Sequence, residues 1–282
     1  MPRSRVLLLC VVVHCAFAAN SLLARAALGG MQAGAASYTA VRLISGAAVL
    51  WLLARGRPSA GEAGWKSALA LFFYAAPFSW AYLELPAGTG ALLLFGAVQS
   101  TMLGAGVVHG ERPPASTWIG LIVAAAGLVA LMLPGLHAPS LAGSVAMLVA
   151  GGSWGYYSLR GRRARDGLAA TRDAFLRATP LAVLALAAGA LLLPSSIRVT
   201  PRGLALAVVS GAVTSGLGYT LWNTVLPYLK ATTAGILQLS VPALATAGGV
   251  VFLGETLSAR VAIAGVAILG GVATVVLKSR QP

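Results

Sequence analysis

The stretch YTLWNTVLPYLKATTAGILQLSVPALATAGGVVFLGE spans residues 219–255, and its last two letters decide the fold. The same Gly-Glu pair stands at Gly110 and Glu111, inside HGERPPAST (109–117), 144 positions earlier. Sliding residues 85–111 by 144 places Leu85, Ala87, Thr89, Leu93, Gly104, Val107, Gly110 and Glu111 on Leu229, Ala231, Thr233, Leu237, Gly248, Val251, Gly254 and Glu255. Further on, Ala115, Ile119 and Gly127 meet Ala259, Ile263 and Gly271. Early in each half FAANS (17–21) resembles WGYYS (154–158), and Arg42 corresponds to Arg177 at a shorter offset. The chain reads as a duplication.

Composition says what solvent the duplicated unit meets. Of 282 residues, 58% are apolar and only 9% charged, against roughly 25% charged in soluble domains. Mean hydropathy is +0.86. A soluble fold of this size would have to cover its exterior with Leu, Val and Ala, so the solvent is lipid. The 34 glycines are spread through apolar runs, as suits close helix packing in a bilayer. Lys and Arg total 20 against 6 Asp and Glu. The basic residues fall mostly between apolar segments, which fits membrane topology and not a nucleic-acid partner. The two cysteines, Cys10 and Cys15, share one apolar segment and make no metal pattern.

A bilayer crossing takes about 20 apolar helical residues. Ten segments qualify: approximately 6–28, 35–54, 65–85, 87–109, 116–135, 140–159, 173–193, 203–226, 231–252 and 257–278. Each must be helical, because backbone amides in lipid need internal partners. The first segment, with Arg3 and Arg5 before an apolar run and Ala-Phe-Ala near Ala19, imitates a cleavable signal peptide. We expect it to be retained, since the sixth span requires its counterpart. With the N-terminus in the cytoplasm, 14 Lys and Arg lie between spans on that side and three, Arg198, Arg202 and Arg260, on the other. That is the positive-inside pattern, with both termini cytoplasmic.

Five helices per half is an odd number, so the second copy enters the membrane from the opposite face. The expected architecture is an all-α integral membrane protein of ten transmembrane helices. They form two inverted five-helix repeats, residues 1–136 and 137–282, around a central cavity. The Gly-Glu pair then marks the connection between the fourth and fifth helix of each copy. An acid just before a helix suits its positive end, so Glu111 and Glu255 are expected to serve structure, with gating as the alternative.

Two five-helix halves, each with Gly-Glu after its fourth helix, resemble the EamA-type drug/metabolite transporter superfamily, and residues 219–255 are the most specific part of the likeness. The resemblance covers essentially the whole chain and leans toward the bacterial aromatic amino-acid exporter branch. It departs in the first helix, which reads HCAFAANS without the common Trp. It implies small-molecule transport by alternating access in a bacterial-type inner membrane, with no enzyme activity, cofactor or metal.

Polar groups at bilayer depth are costly and face the bundle interior. On that ground the candidate substrate-binding residues are His14, Phe17 and Asn20 in the first span, and Arg42 in the second. The third offers Tyr74, Phe78, Trp80 and Tyr82, the fourth Gln99, and the sixth Trp154 and Tyr157. The eighth adds Tyr219, Trp222 and Asn223, and the ninth Gln238. The faces carrying Phe17 and Trp154 correspond in the repeat and should meet across a pseudo-twofold axis. Core packing or an interfacial belt competes as a reading for the aromatics, Tyr82, Trp51 and Trp118 above all. Arg42 either pairs with Glu84 or binds a substrate carboxylate, since a guanidinium matches a carboxylate as a fork. Arg25 and Arg177 lie nearer helix ends, where snorkelling is expected.

None of the six acids falls mid-span, so a buried carboxylate exchanging protons is not expected, and His14 is the one mid-membrane group that titrates near neutrality. The function read from these residues is export of amino acids, aromatic ones among them, or of related metabolites. The alternatives are multidrug, sugar- or nucleotide-linked transport, or flipping of a lipid-linked sugar. The partners are a small-molecule substrate and membrane lipid, and a monomer is sufficient in principle.

Overall fold

The computed structural model describes residues 1–59, 64–112, 139–259 and 261–267, together with 115, 118–120, 122–123, 126–127 and 270. The described residues are helical apart from connections and one isolated antiparallel bridge between Ala33 and Val199. In chain order the helices are α1 (Arg3–Leu28), α2 (Ala35–Leu53), α3 (Trp65–Ala81), α4 (Ala87–Val108), α5 (Leu141–Gly161) and α6 (Gly167–Leu192), then α7 (Pro201–Tyr228) and α8 (Ala231–Leu253). Six of them, α1, α2, α4, α6, α7 and α8, are long and apolar enough to cross a membrane. The expected span 65–85 appears as the 17-residue α3, and 140–159 as α5. The expected spans 116–135 and 257–278 lie largely outside the described residues, although 118–120, 122–123 and 261–267 are helical. The seventh span begins earlier than expected, at Gly167, because Asp166 caps it. Asp173 therefore stands inside α6, buried beside Arg172 at 2.8 Å.

The outside of the bundle is apolar: Leu8, Leu184, Leu191 and Phe73 are all exposed. A multi-pass membrane protein presents such a surface to lipid. Inside, small residues let the helices approach. A Cβ on Gly151 of α5 would sit 2.3 Å from the Leu94 carbonyl oxygen of α4.

Helix contacts come in matched pairs. α1 packs on α7 as α5 packs on α3, α1 packs on α8 as α5 packs on α4, and α2 packs on α7 as α6 packs on α3. Two of the helices are interrupted. In α7 the segment Ser210–Leu217 is π-helical. α8 breaks at Gln238–Leu239, between Ala231–Leu237 and Ser240–Leu253. Pro242 explains this break. It has no N–H to give to the Gln238 carbonyl, which instead accepts from Val241 N–H at 3.1 Å.

The Gly-Glu pairs each end one helix and cap another. Gly110 (φ 86°) and Gly254 (φ 66°) both adopt the left-handed conformation just past the ends of α4 and α8, which a residue without Cβ takes at no steric cost. Among the described residues, each Glu caps a helix distant from it in the chain. Glu255 accepts from Ala87 N–H at the start of α4, at 2.9 and 3.1 Å. Glu111 accepts from Ala231 N–H at 3.0 Å and Thr232 N–H at 3.3 Å, at the start of α8. The two arrangements correspond at the 144-residue offset. An Arg attends each Glu. Arg25 Nε lies 3.1 Å from Glu255 and Arg162 Nη1 lies 4.0 Å from Glu111. Arg25 thus pairs with an acid where snorkelling was expected.

Two outcomes test these local readings. The Asp166 carboxylate accepts from Leu168 and Ala169 N–H and from Arg57 at 2.7 Å. Partial burial pushes its pKa up, but the Arg57 hydrogen bond and the backbone N–H groups outweigh this and hold it below the usual aspartate value. A depressed folded pKa contributes stability above the unfolded pKa, near 4, that is lost as pH falls through the folded value. Asp166→Asn should therefore remove part of the acid-induced fall in melting temperature below about pH 4 and leave its shape between pH 5 and 7 unchanged. Gly151→Ala should force α4 and α5 apart at a cost of about 1–3 kcal/mol. A melting temperature for the detergent-solubilised variant equal to that of the wild type would contradict the packing described.

Candidate functional site

The middle of the bundle holds an aromatic cage. Trp154 of α5 is its hub: its ring lies 4.5 Å from Tyr219, 5.0 Å from Tyr74 and 5.3 Å from Phe17, edge-on in the last case. Phe17 and Trp154 thus face each other, as the correspondence of their helices requires. Phe78 stands 5.2 Å from Tyr74. The space enclosed, bordered also by Asn20, Ser21, Leu94 and Phe95, is about 10 Å³, so the cage is closed around little more than its own side chains.

Arg42 sits against this cage, 1% exposed. Its Nη2 donates to the hydroxyls of Tyr74 (2.9 Å) and Tyr219, and its Nε donates to Ser215 Oγ at 2.9 Å. The guanidinium carbon lies 4.8 Å from the Phe78 ring centroid and 5.1 Å from that of Tyr74, within cation–π range. Its Nη1 is buried without a partner. No carboxylate lies within ion-pair distance of Arg42 among the described residues. The Arg42–Glu84 pair weighed from the sequence is therefore not formed, and Glu84 is exposed. A buried guanidinium held by hydroxyls and ring faces is charged and only half satisfied, a costly state in lipid.

Polar groups flank the cage on both sides. On the Arg42 side, the Asn20 amide donates to Tyr74 at 3.2 Å, and its oxygen accepts from Ser210 (2.7 Å) and Thr214 (3.1 Å). These two hydroxyls and Ser215 belong to the π-helical segment of α7. Such segments are frequent at functional sites. On the other side, Trp154 Nε1 donates to Gln238 Oε1 at 2.7 Å, at the break in α8. Gln99 Oε1 is buried and unpartnered. His14 lies 5.9 Å from Trp222. Its Nδ1 is 3.1 Å from Ser240 Oγ, and its Nε2 is buried without a partner.

Not every candidate joins this cluster. Trp80 is 51% exposed on the outer surface: it lies two residues past Phe78, a turn of about 200° around the helix, so it faces away. Tyr82 is buried but packs edge-on against Phe78 at 4.7 Å and donates to the Ala87 carbonyl, below the cage. Tyr157 does join, stacked on Trp154 at 5.3 Å, and Trp222 borders the cage 5.9 Å from Phe17; Tyr157 and Thr171 also lie 3.1 and 3.0 Å from the Asn223 amide, and Trp222 donates to Ser158 at 3.1 Å. Trp51 stacks under Arg55 at 5.3 Å on the exposed end of α2, as a belt residue would. The residues missed from the sequence are Ser210, Thr214 and Ser215. Their signal was a run of small hydroxyls in an apolar helix, which reads as packing until the π turn aims them inward.

Comparison with known proteins places this arrangement in a lineage. The EamA-like transporter family model matches residues 141–277. An uncharacterized Pseudomonas aeruginosa protein, PA1977, is 49% identical over 278 residues, covering 98% of this chain and 96% of its own. The threonine/homoserine exporter RhtA of Escherichia coli K12 is 31% identical over 236 residues, covering 80% of this chain and 76% of its own. The Salmonella typhimurium RhtA is 30% identical over 237 residues. A crystal structure of 22% sequence identity superposes with a TM-score of 0.73, covering 99% of this chain and 100% of that one, a likeness of fold. The chain belongs to the EamA-like transporter family.

Proposed function

We propose that this protein exports amino acids or closely related small carboxylates, and that Arg42 holds the substrate carboxylate. The observation that carries the reading is the buried, half-satisfied Arg42 guanidinium at the wall of an aromatic cage. An anion entering the cage gains the free Nη1 donor and neutralises a charge that hydroxyls alone do not neutralise. The substrate's ammonium is matched by the faces of Trp154, Tyr74 and Tyr219, and its side chain by Phe17, Phe78 and Phe95. The likeness to RhtA supports amino-acid cargo. The ring of α1, α3, α4, α5 and α7 around the cage speaks for a small water-soluble cargo over a lipid-linked one, which needs a side opening toward lipid.

Residues 1–136 and 137–282 act, in this reading, as two inverted halves that rock about the cage and expose it alternately to each face of a bacterial inner membrane. Both termini and the Glu111 end are cytoplasmic, following the basic residues between spans. A monomer contains both halves and suffices.

The test is counterflow in proteoliposomes with labelled threonine, homoserine and aromatic amino acids. Competition by their amides, which lack the carboxylate, should fail. Arg42→Gln should lower counterflow roughly 30-fold, the equivalent of about 2 kcal/mol for a charge-assisted contact. Arg42→Lys keeps the charge without the fork and should fall between. Equal competition by acids and amides would overturn the carboxylate reading. His14 bears on coupling. Counterflow should need no pH gradient, and any modest stimulation by one should vanish in His14→Ala; a strong gradient requirement that survives this substitution would refute that assignment.

A further inference from the structure

The closed cage poses a mechanical question: what keeps it shut, and from which end does it open? Cavities lie at both ends of the bundle. One of about 550 Å³ is bordered by His109, Arg160, Arg162 and Pro227, and one of about 420 Å³ by Arg25, Arg202, Phe252 and Glu255. Between them the cage encloses about 10 Å³. At each end the boundary carries the same device: a Glu of one half on the first N–H groups of a helix of the other half, with an attending Arg. That Arg is also tied to backbone carbonyls of a neighbouring helix end. Arg162 Nε donates to the Leu229 carbonyl at 3.1 Å, and Arg25 Nη1 to those of Tyr82 and Leu83 at 3.3 Å.

We propose that Glu111 and Glu255 are paired gate latches, each closing one end of the cage by capping the opposite half, so that transport requires them to release in alternation. The proposal rests on the alternating-access reading above. Each carboxylate is placed for this work. It crosses between halves, it is partly buried at the rim, and its partners are backbone N–H groups, that of Ala87 for Glu255 and those of Ala231 and Thr232 for Glu111, which cannot find a substitute in lipid once it leaves. Release must therefore happen where water enters, which is at the opening end. The Glu111 carboxyl is held below its usual pKa: burial pushes it up, but hydrogen bonds from Thr232 and the Ala231 and Thr232 N–H groups, with Arg162, outweigh this. It is thus charged at neutral pH. The two latches differ in their partners: Arg25 is 3.1 Å from Glu255 and Arg162 is 4.0 Å from Glu111, whereas Glu111 accepts from two backbone N–H groups and Glu255 from one.

A purely structural role would make the two substitutions damage the protein alike; a latch role makes their effects opposite. The experiment uses the full chain with Cys10→Ser and Cys15→Ser, in proteoliposomes, and nitroxide pairs at Val108/Tyr228 and at Glu84/Phe252. All four positions are exposed, and the pairs correspond at the 144-residue offset. Distance distributions are read by double electron–electron resonance without substrate. Glu111→Gln should lengthen the first pair by about 5 Å, roughly one helical turn, and leave the second; Glu255→Gln should do the reverse. Glu111→Asp and Glu255→Asp should return toward wild type. Should a Gln variant fail to fold, Arg162→Gln and Arg25→Gln, which leave the caps in place, should give the same directions with smaller amplitude. Shifts in the same pair for both variants, in both pairs together, or in neither, overturn the latch assignment. Opposite shifts in a protein whose wild type shows no counterflow with any amino acid would instead overturn the substrate reading and leave the latches standing.

Discussion

A helix that begins within or beside a bilayer leaves N–H groups unpaired at its start, and lipid offers them nothing. In this protein the need at α4 is met by Glu255 and the need at α8 by Glu111. The consequence reaches through the whole bundle. The start of each of these two helices is completed by the turn that ends the other. That turn needs Gly110 or Gly254 in a conformation other residues resist, and the Glu must then reach across the boundary. One dipeptide thereby couples helix ending, helix starting and the docking of halves.

The second governing cost is that of a charge away from water. Arg42 is kept in the core by hydroxyls from α3 and α7 and by two ring faces. These contacts orient the guanidinium and leave one nitrogen unspent. An acid in place of the hydroxyls would have made a closed pair with no call for a ligand. The phenols and a serine fix the orientation of the guanidinium without neutralising its charge.

Most of the architecture could be read from the chain because lipid narrows the options. Apolar runs of about 20 residues must be helices, and the Gly-Glu pairs mark two helix ends with matching caps. The meeting of Phe17 with Trp154 followed from the same correspondence. What could not be read was direction around each helix and reach beyond it. Trp80 stood in an aromatic cluster in sequence yet points outward, since its neighbours at four-residue steps take the inner face. Glu84 matches Arg42 in height alone, whereas the nearer phenols of Tyr74 and Tyr219 take its Nη2. Arg25 seemed destined for the interface until the fold brought Glu255 to it across 230 residues. The hydroxyls of Ser210, Thr214 and Ser215 were hidden because a π turn shifts angular register by an amount no simple periodicity anticipates.

That π turn has a geometric corollary. A stretch wound with i→i+5 bonds turns less per residue than an α-helix, so the side chains beyond it emerge on a different face. Ser210–Leu217 is wound with i→i+5 bonds in α7, whereas its counterpart α3 is α-helical with Pro77 in its interior. The two helices that correspond at the 144-residue offset therefore differ in winding where Ser210, Thr214 and Ser215 stand. It is the winding of one helix, beyond its composition, that sets which hydroxyls reach Asn20 and Arg42.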